Sequence, residues 1–133
     1  MAEFFSDEWM KGFMEKWNKE PELADALAKI DFSSVICYGF KDEDNPRGIL
    51  KVEGGKCISA GSWNDESPNW DLRADKENWG KWIKKGIGMG GLGMAYTTGK
   101  LKFKVGDYKA MIKDPRMAGP FIKSFSVMGK VGT

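Results

Sequence analysis

The stretch GIGMGGLGMAYTTGKLKFKV, residues 86–105, decides how the rest of the chain is interpreted. Five of the eight residues in 86–93 are glycine, and glycine accepts either sign of φ, so we expect a pliable loop there. The other side chains of this loop are apolar, and its methionine is the residue that packs most readily around irregular shapes. The strand that follows, Leu101–Val105, alternates apolar residues with lysine, so one face suits a core and the other suits water.

The composition indicates one folded domain spanning residues 1–133, with 41% hydrophobic and 30% charged residues. A net charge of +2 is too close to balance to indicate a nucleic-acid partner by bulk electrostatics. The sequence has no apolar run of the roughly 18 residues that a membrane-spanning helix needs. Residues 1–7 are acidic and lack a hydrophobic signal region, so we expect a cytoplasmic protein.

The content of histidine and cysteine restricts the chemistry that is available to this chain. Histidine is absent, which removes the commonest general base and the commonest zinc ligand. Cys37 and Cys57 show no metal-binding or redox spacing, so we expect two reduced thiols in the core and no metal site.

Helical patterns occupy both ends of the chain. Ser6 is a good N-cap, and apolar residues follow it at helical spacing from Met10 to Trp17. A second helix is predicted to begin at Pro21, and a third to begin after Asp75 and to end at Gly86. After the last strand we predict a helical turn at Tyr108–Lys113 and closing helices from residue 114 onwards, in which Pro120 either kinks a helix or starts a new one.

The central part of the sequence has the patterns of β-strands. The pair Gly54-Gly55 permits the positive φ angles of a tight hairpin turn. The predicted strands are residues 32–40, Gly48–Glu53, residues 56–63, Trp70–Ala74 and Leu101–Val105. The sequence therefore predicts an α+β fold with a five-stranded, mostly antiparallel sheet and helices on one of its faces.

Residues 32–112 resemble the sterol carrier protein 2 family. The resemblance rests on WDLRADKENW at residues 70–79, on GKLKF at residues 99–103 and on the hairpin GILKVEGGKCISAG at residues 48–61. It implies a non-catalytic domain that encloses a fatty acid, acyl-CoA, sterol or similar lipid in an apolar tunnel between the sheet and its helices. It implies no cofactor. The glycine-rich residues 86–93 and the tail, residues 130–133, depart from the family pattern.

Position by position, the resemblance assigns the tunnel lining to the helix after Asp75, to the loop at residues 86–93 and the residue just beyond it, and to the last strand. Large apolar residues of the carboxyl-terminal helices complete the set of candidate ligand-binding residues. The candidates are Trp79, Trp82, Ile83, Met89, Leu92, Met94, Leu101, Phe103, Met111, Phe121 and Phe125. If these side chains instead fill a closed core, the tunnel is absent.

Three patterns have a second interpretation. Residues 86–91 match GxGxxG, but the segment before them reads as a helix and not as the strand that a dinucleotide site requires. The lysines at positions 100, 102, 104, 109 and 113 are interpreted as solvated surface and not as a nucleic-acid site, while transient contact with an anionic membrane stays open. Asp71 and Arg73 are interpreted as a surface ion pair and not as a catalytic acid held in position by an arginine.

The function expected from the sequence is therefore non-catalytic binding or transfer of a lipid-like molecule. The alternative from another class is an accessory subunit that holds a partner protein in its apolar groove. Six tryptophans would also suit a homodimer interface.

Overall fold

The structure is a computed structural model and describes residues 3–131. Met1 and Ala2 of the amino-terminal segment, and Gly132 and Thr133 of the tail, lie outside the described residues, and so do the parts of the sequence-based expectations that fall on them. The helices are α1 (Asp7–Asn18), α2 (a π-helical turn at Pro21–Asp25 that continues into Ala26–Ala28), α3 (Lys76–Lys85), α4 (Met89–Thr97), α5 (Tyr108–Lys113) and α6 (Pro115–Met128). The strands are β1 (Ser34–Phe40), β2 (Gly48–Glu53), β3 (Lys56–Ser62), β4 (Trp70–Ala74) and β5 (Leu101–Val105).

The five strands form one sheet in the order β3-β2-β1-β4-β5. Three neighbouring pairs are antiparallel, and β1 pairs with β4 in parallel. The predicted α+β class, the five-stranded mostly antiparallel sheet and the helices on one face are confirmed. Strands β2, β4 and β5 have the predicted bounds, whereas β1 begins two residues later than predicted and β3 ends one residue earlier.

The ends of the helices follow local sequence signals. The Ser6 hydroxyl accepts a hydrogen bond from the Trp9 backbone N–H at 3.2 Å and caps α1 as predicted. The Asp114 carboxylate accepts one from the Arg116 N–H and caps α6. Pro120 lies inside α6, which continues from Pro115 to Met128, so it does not start a new helix.

The prediction of a loop over residues 86–93 is wrong, because α4 begins at Met89 inside that stretch. Glycine in a helix costs about 1 kcal/mol relative to alanine, so local propensity opposes this helix. Burial compensates, since Leu92 and Ala95 are packed into the core. A Cβ atom at Gly91 would lie 3.1 Å from the Ile87 side chain, a tight contact that a small shift of that side chain would relieve.

Aromatic side chains join the helices to the inner face of the sheet. Trp79 of α3 lies 5.0 Å from Phe5 and 6.1 Å from Phe125 of α6, measured between ring centroids. Phe5 in turn stacks on Tyr38 of β1 at 5.4 Å. The Trp79 indole N–H donates a hydrogen bond to the Gly39 carbonyl at 2.9 Å, so its polar atom is satisfied in the interior.

The outer face of the sheet carries a buried ion pair. The Arg73 guanidinium donates to both carboxylate oxygens of Asp71, at 2.6 and 3.0 Å, and both side chains are almost fully buried. Arg73 also donates to the backbone carbonyls of Glu43 and Asp44, which belong to the loop that covers it. The predicted ion pair is confirmed, but its predicted surface position is wrong, because that loop shields it from water.

Both cysteines are free thiols in the core, as predicted. Burial and the charge of nearby Asp71 raise the pKa of Cys37 to about 12, and burial raises the pKa of Cys57 to about 11. Because thiolates and not thiols are reactive, both groups are inert near neutral pH.

The hairpin turn predicts different responses at two adjacent glycines. Both have positive φ, but a Cβ atom on Gly55 would lie 2.3 Å from the Ala28 backbone nitrogen, whereas Gly54 has no atom closer than 3.8 Å. We expect Gly55→Ala to lower the free energy of unfolding by about 3 kcal/mol, from the left-handed backbone plus the clash. The control Gly54→Ala should lose only about 1 kcal/mol in the same urea titration. Equal losses would contradict the close packing of the turn on α2.

The buried ion pair predicts a strongly non-additive pair of substitutions. Asp71→Leu leaves the Arg73 charge buried without its partner and should lower the free energy of unfolding by about 3–5 kcal/mol. Adding Arg73→Met should restore most of that stability, because no uncompensated charge remains. Breaking the exposed Glu15–Lys19 pair by Glu15→Ala serves as a control and should change stability little. Additive losses in the Asp71/Arg73 cycle would contradict the described pairing.

Candidate functional site

An apolar cavity lies between the inner face of the sheet and the helices. The space open to the centre of a water-sized sphere is about 40 Å³. Four of the lining side chains are only half-buried, so the cavity approaches the surface on their side. The lining residues are Trp17, Leu23, Leu27, Phe32, Ile36, Tyr38, Trp70, Leu72, Met111, Met117, Phe121 and Ser124, of which Phe32, Trp70, Met117 and Phe121 are half-buried.

The sheet wall of the cavity follows from strand alternation and register. Side chains two residues apart share a face of a strand, which places Ile36 with Tyr38 and Trp70 with Leu72. The parallel register pairs Ile36 with Trp70 and Tyr38 with Leu72, so the four side chains lie side by side on β1 and β4.

Helical periodicity supplies the opposite wall. Leu23 and Leu27 of α2 are four residues apart and therefore lie on the same side of that helix. On α6, Met117, Phe121 and Ser124 recur at i, i+4 and i+7, which is one helical stripe. Two of the twelve lining residues are methionines, whose flexible side chains adapt to a changed shape at little cost.

No lining residue of the cavity is charged. The Trp17 indole N–H donates to the Gly55 carbonyl at 2.9 Å, and the Ser124 hydroxyl donates to the Phe121 carbonyl of its own helix. Burial raises the pKa of the Tyr38 phenol far above its usual value, so this hydroxyl stays neutral at every physiological pH. The cavity thus presents apolar surface and neutral polar groups, which suit an uncharged, mainly apolar ligand.

The cavity is small in the described conformation. A volume of about 40 Å³ has room for about three water-sized groups, at roughly 10–15 Å³ for each. Ligand sites usually enclose about 300–1,000 Å³. A guest as large as an acyl chain therefore requires side chains or helices of the wall to move.

The structure places the eleven sequence-predicted residues in four environments. Met111 and Phe121 line the cavity. Six others are buried or half-buried in and around the aromatic core without lining it, and a further pair on α4 is exposed. The residues of the core are Trp79, Trp82, Ile83, Leu101, Phe103 and Phe125, and the exposed pair is Met89 and Met94. Leu92 lies on the buried side of α4.

Ten lining residues were not among the sequence-based candidates. Trp17 ends the predicted apolar stripe of the first helix, and Leu23 and Leu27 lie on the helix predicted to begin at Pro21. The alternation of Ile36 with Tyr38 marks an inward-facing strand surface, and this signal was available in the sequence. Which part of that surface faces a cavity depends on where the helices cross the sheet, and no local pattern carries that information.

Other kinds of site are not evident within residues 3–131. No cluster of three or more histidine, cysteine, aspartate or glutamate residues in this part of the chain could hold a metal ion. None of the helices described there is long and apolar enough to cross a lipid bilayer.

Comparisons with known proteins give no match at the level of sequence. No protein-family model matches the chain, and no curated protein is significantly similar to it.

Solved structures with the same fold do exist. A crystal structure of sterol carrier protein 2 superposes with a TM-score of 0.77 at 17% identity, covering 98% of this chain and 100% of that one. A conserved hypothetical protein from Thermus thermophilus, described as possibly a sterol carrier protein, has a TM-score of 0.71 at 15% identity, covering 100% and 92%. The ubiquinone synthesis protein UbiJ-SCP2 has a TM-score of 0.58 at 13% identity, covering 90% and 86%. The chain therefore has the fold of sterol carrier protein 2.

Proposed function

We propose that this protein binds a lipid-like apolar molecule between its sheet and helices, as a carrier and not as a catalyst. The observation that carries the proposal is the cavity at that place, whose twelve lining residues are apolar or neutral. The similarity to solved structures named as sterol carrier proteins supports the same interpretation. A non-catalytic role is supported by the lining, whose two side-chain hydroxyls, on Tyr38 and Ser124, have no carboxylate, amine or thiol beside them in the lining to act as a base.

Binding requires the side of the cavity formed by α5 and α6 to move outward. Met111, Met117 and Phe121 form this side of the cavity, and α5 packs mainly against α6. Pro120 next to Phe121 removes one backbone hydrogen bond from the interior of α6. These features make the α5–α6 side the part of the wall that moves most easily.

The hydrophobic effect is large enough to drive this opening. Each methylene group that leaves water contributes about 0.8 kcal/mol, so a chain of about a dozen methylenes contributes roughly 10 kcal/mol. Micromolar affinity needs about 8 kcal/mol net. The difference between these two free energies is small, and it has to offset both the displacement of the helices and the entropy lost on association. We therefore expect affinities that are micromolar or weaker for single-chain ligands.

Ser124→Leu provides the most direct test of the cavity. Ser124 lies against the cavity at the end of the α6 stripe, and leucine fills part of the space that a guest would use. We expect the variant to raise the free energy of unfolding by about 1 kcal/mol while weakening binding of a dansylated fatty acid at least about tenfold. Fluorescence titration and thermal unfolding measure the two effects.

The matched control is Ser126→Leu, two residues further along the same helix and exposed to solvent. It should leave the affinity unchanged. If the unmodified protein shows no saturable binding of a fluorescent fatty acid, acyl-CoA or sterol, the proposed function is wrong. Equal loss of affinity in the two leucine variants would place the ligand outside the cavity.

A further inference from the structure

The positive charge of this chain is concentrated in one segment. Residues 81–113 contain eight lysines and a single acidic residue, Asp107, although the whole chain has a net charge of only +2. The segment therefore carries a net charge of +7, and the remainder of the chain carries −5. All eight lysines are exposed. They are Lys81, Lys84, Lys85, Lys100, Lys102, Lys104, Lys109 and Lys113.

These lysines differ from the other cations of the protein in having few acidic partners. Within residues 3–131, only Lys81 of the eight forms an ion pair, with Glu77 at 3.9 Å. Of the thirteen lysines and arginines outside the segment, eight are paired in the same described part of the chain. The charge of residues 81–113 is therefore available to an external anionic partner.

The middle of this basic segment is an uncharged helix with exposed apolar side chains. None of the nine residues of α4 is charged. Leu92 and Ala95 turn inward, whereas Met89 is 48% exposed and Met94 is 64% exposed. Along the chain, α4 is flanked by the two lysines that end α3 and by the lysine that precedes β5.

We propose that α4 and the exposed lysines that flank it along the chain form a docking surface for anionic lipid membranes. Lysines near an anionic bilayer are attracted to its headgroups, and exposed apolar side chains on a helix insert at the boundary between headgroups and acyl chains. The surface lies outside the cavity lining, so this inference is independent of ligand binding in the interior.

Two other partners fit the same surface less well. Nucleic-acid sites favour arginine and stacking aromatic rings, whereas the segment has no arginine and its exposed large apolar residues on α4 are methionines. A second copy of the chain would bring together two segments that each carry a net charge of +7, and like charges repel. An anionic bilayer satisfies both the charge and the methionines.

Flotation with lipid vesicles tests this proposal. The unmodified protein should float with vesicles of equimolar phosphatidylcholine and phosphatidylglycerol, and not with vesicles of phosphatidylcholine alone. High salt should weaken the association because it screens the lysines. Equal binding to the two kinds of vesicle, or no binding to either, would overturn the proposal. Tight binding of a single-stranded oligonucleotide without vesicle binding would assign the surface to nucleic acid instead.

The charge arm uses two double variants that change the net charge equally. Lys84→Glu with Lys85→Glu should lower partitioning onto anionic vesicles at least about tenfold. Lys29→Glu with Lys56→Glu replaces two exposed lysines outside the segment and should change partitioning less than about twofold. Equal effects of the two pairs would mean that net charge alone governs binding, and the docking surface would be rejected.

The apolar arm removes the exposed methionines. Met89→Ser with Met94→Ser should weaken vesicle binding several-fold and leave a residual binding that high salt abolishes. The control Ile58→Ser changes a side chain that is 56% exposed on β3, at the opposite edge of the sheet from β5, and should have no effect. All of these variants should bind the dansylated fatty acid normally, so failure of docking and failure of the proposed carrier function are separable.

Discussion

Packing around Trp79 holds the helical layer against the sheet. Its ring contacts Phe5 before α1 and Phe125 on α6, and its indole N–H bonds to the Gly39 carbonyl in the middle of the sheet. A buried N–H without a partner would cost about 1–3 kcal/mol, so this hydrogen bond fixes how deeply the ring sits. Helices α1, α3 and α6 thus meet the sheet at one densely packed point, and no cavity forms there.

The apolar cavity lies where this constraint is weaker. Its walls are the stripes of α2 and α6 and side chains of β1 and β4, and two methionines, Met111 and Met117, face it. The flexible methionine side chains, and the backbone hydrogen bond that Pro120 removes from α6, make this part of the wall more adaptable than the aromatic core. Rigidity at one end of the layer and adaptability at the other suit a protein that holds a guest of variable shape.

Charge is excluded from the interior except where it is fully compensated. Arg73 and Asp71 neutralise each other on the outer face of the sheet, and carbonyl oxygens of the covering loop satisfy the rest of the guanidinium. The other charges of the described residues are at least partly exposed, and the lysines of residues 81–113 are all exposed. The exposed lysines and methionines of residues 81–113 do not line the apolar cavity, so the uncharged interior and the basic segment are separate features of the molecule.

Local patterns in the sequence determined most of the secondary structure. Strand alternation, the Gly54-Gly55 turn and the Ser6 cap each act within a few residues, so the strands, the hairpin and α1 could be predicted. Of the candidate site, sequence reasoning placed only Met111 and Phe121 at the cavity. Only the tertiary structure decided that α4 is helical despite its glycines, that Asp71 and Arg73 are buried, and where the cavity lies. These features depend on contacts between residues far apart in the chain, and burial there outweighs local propensity.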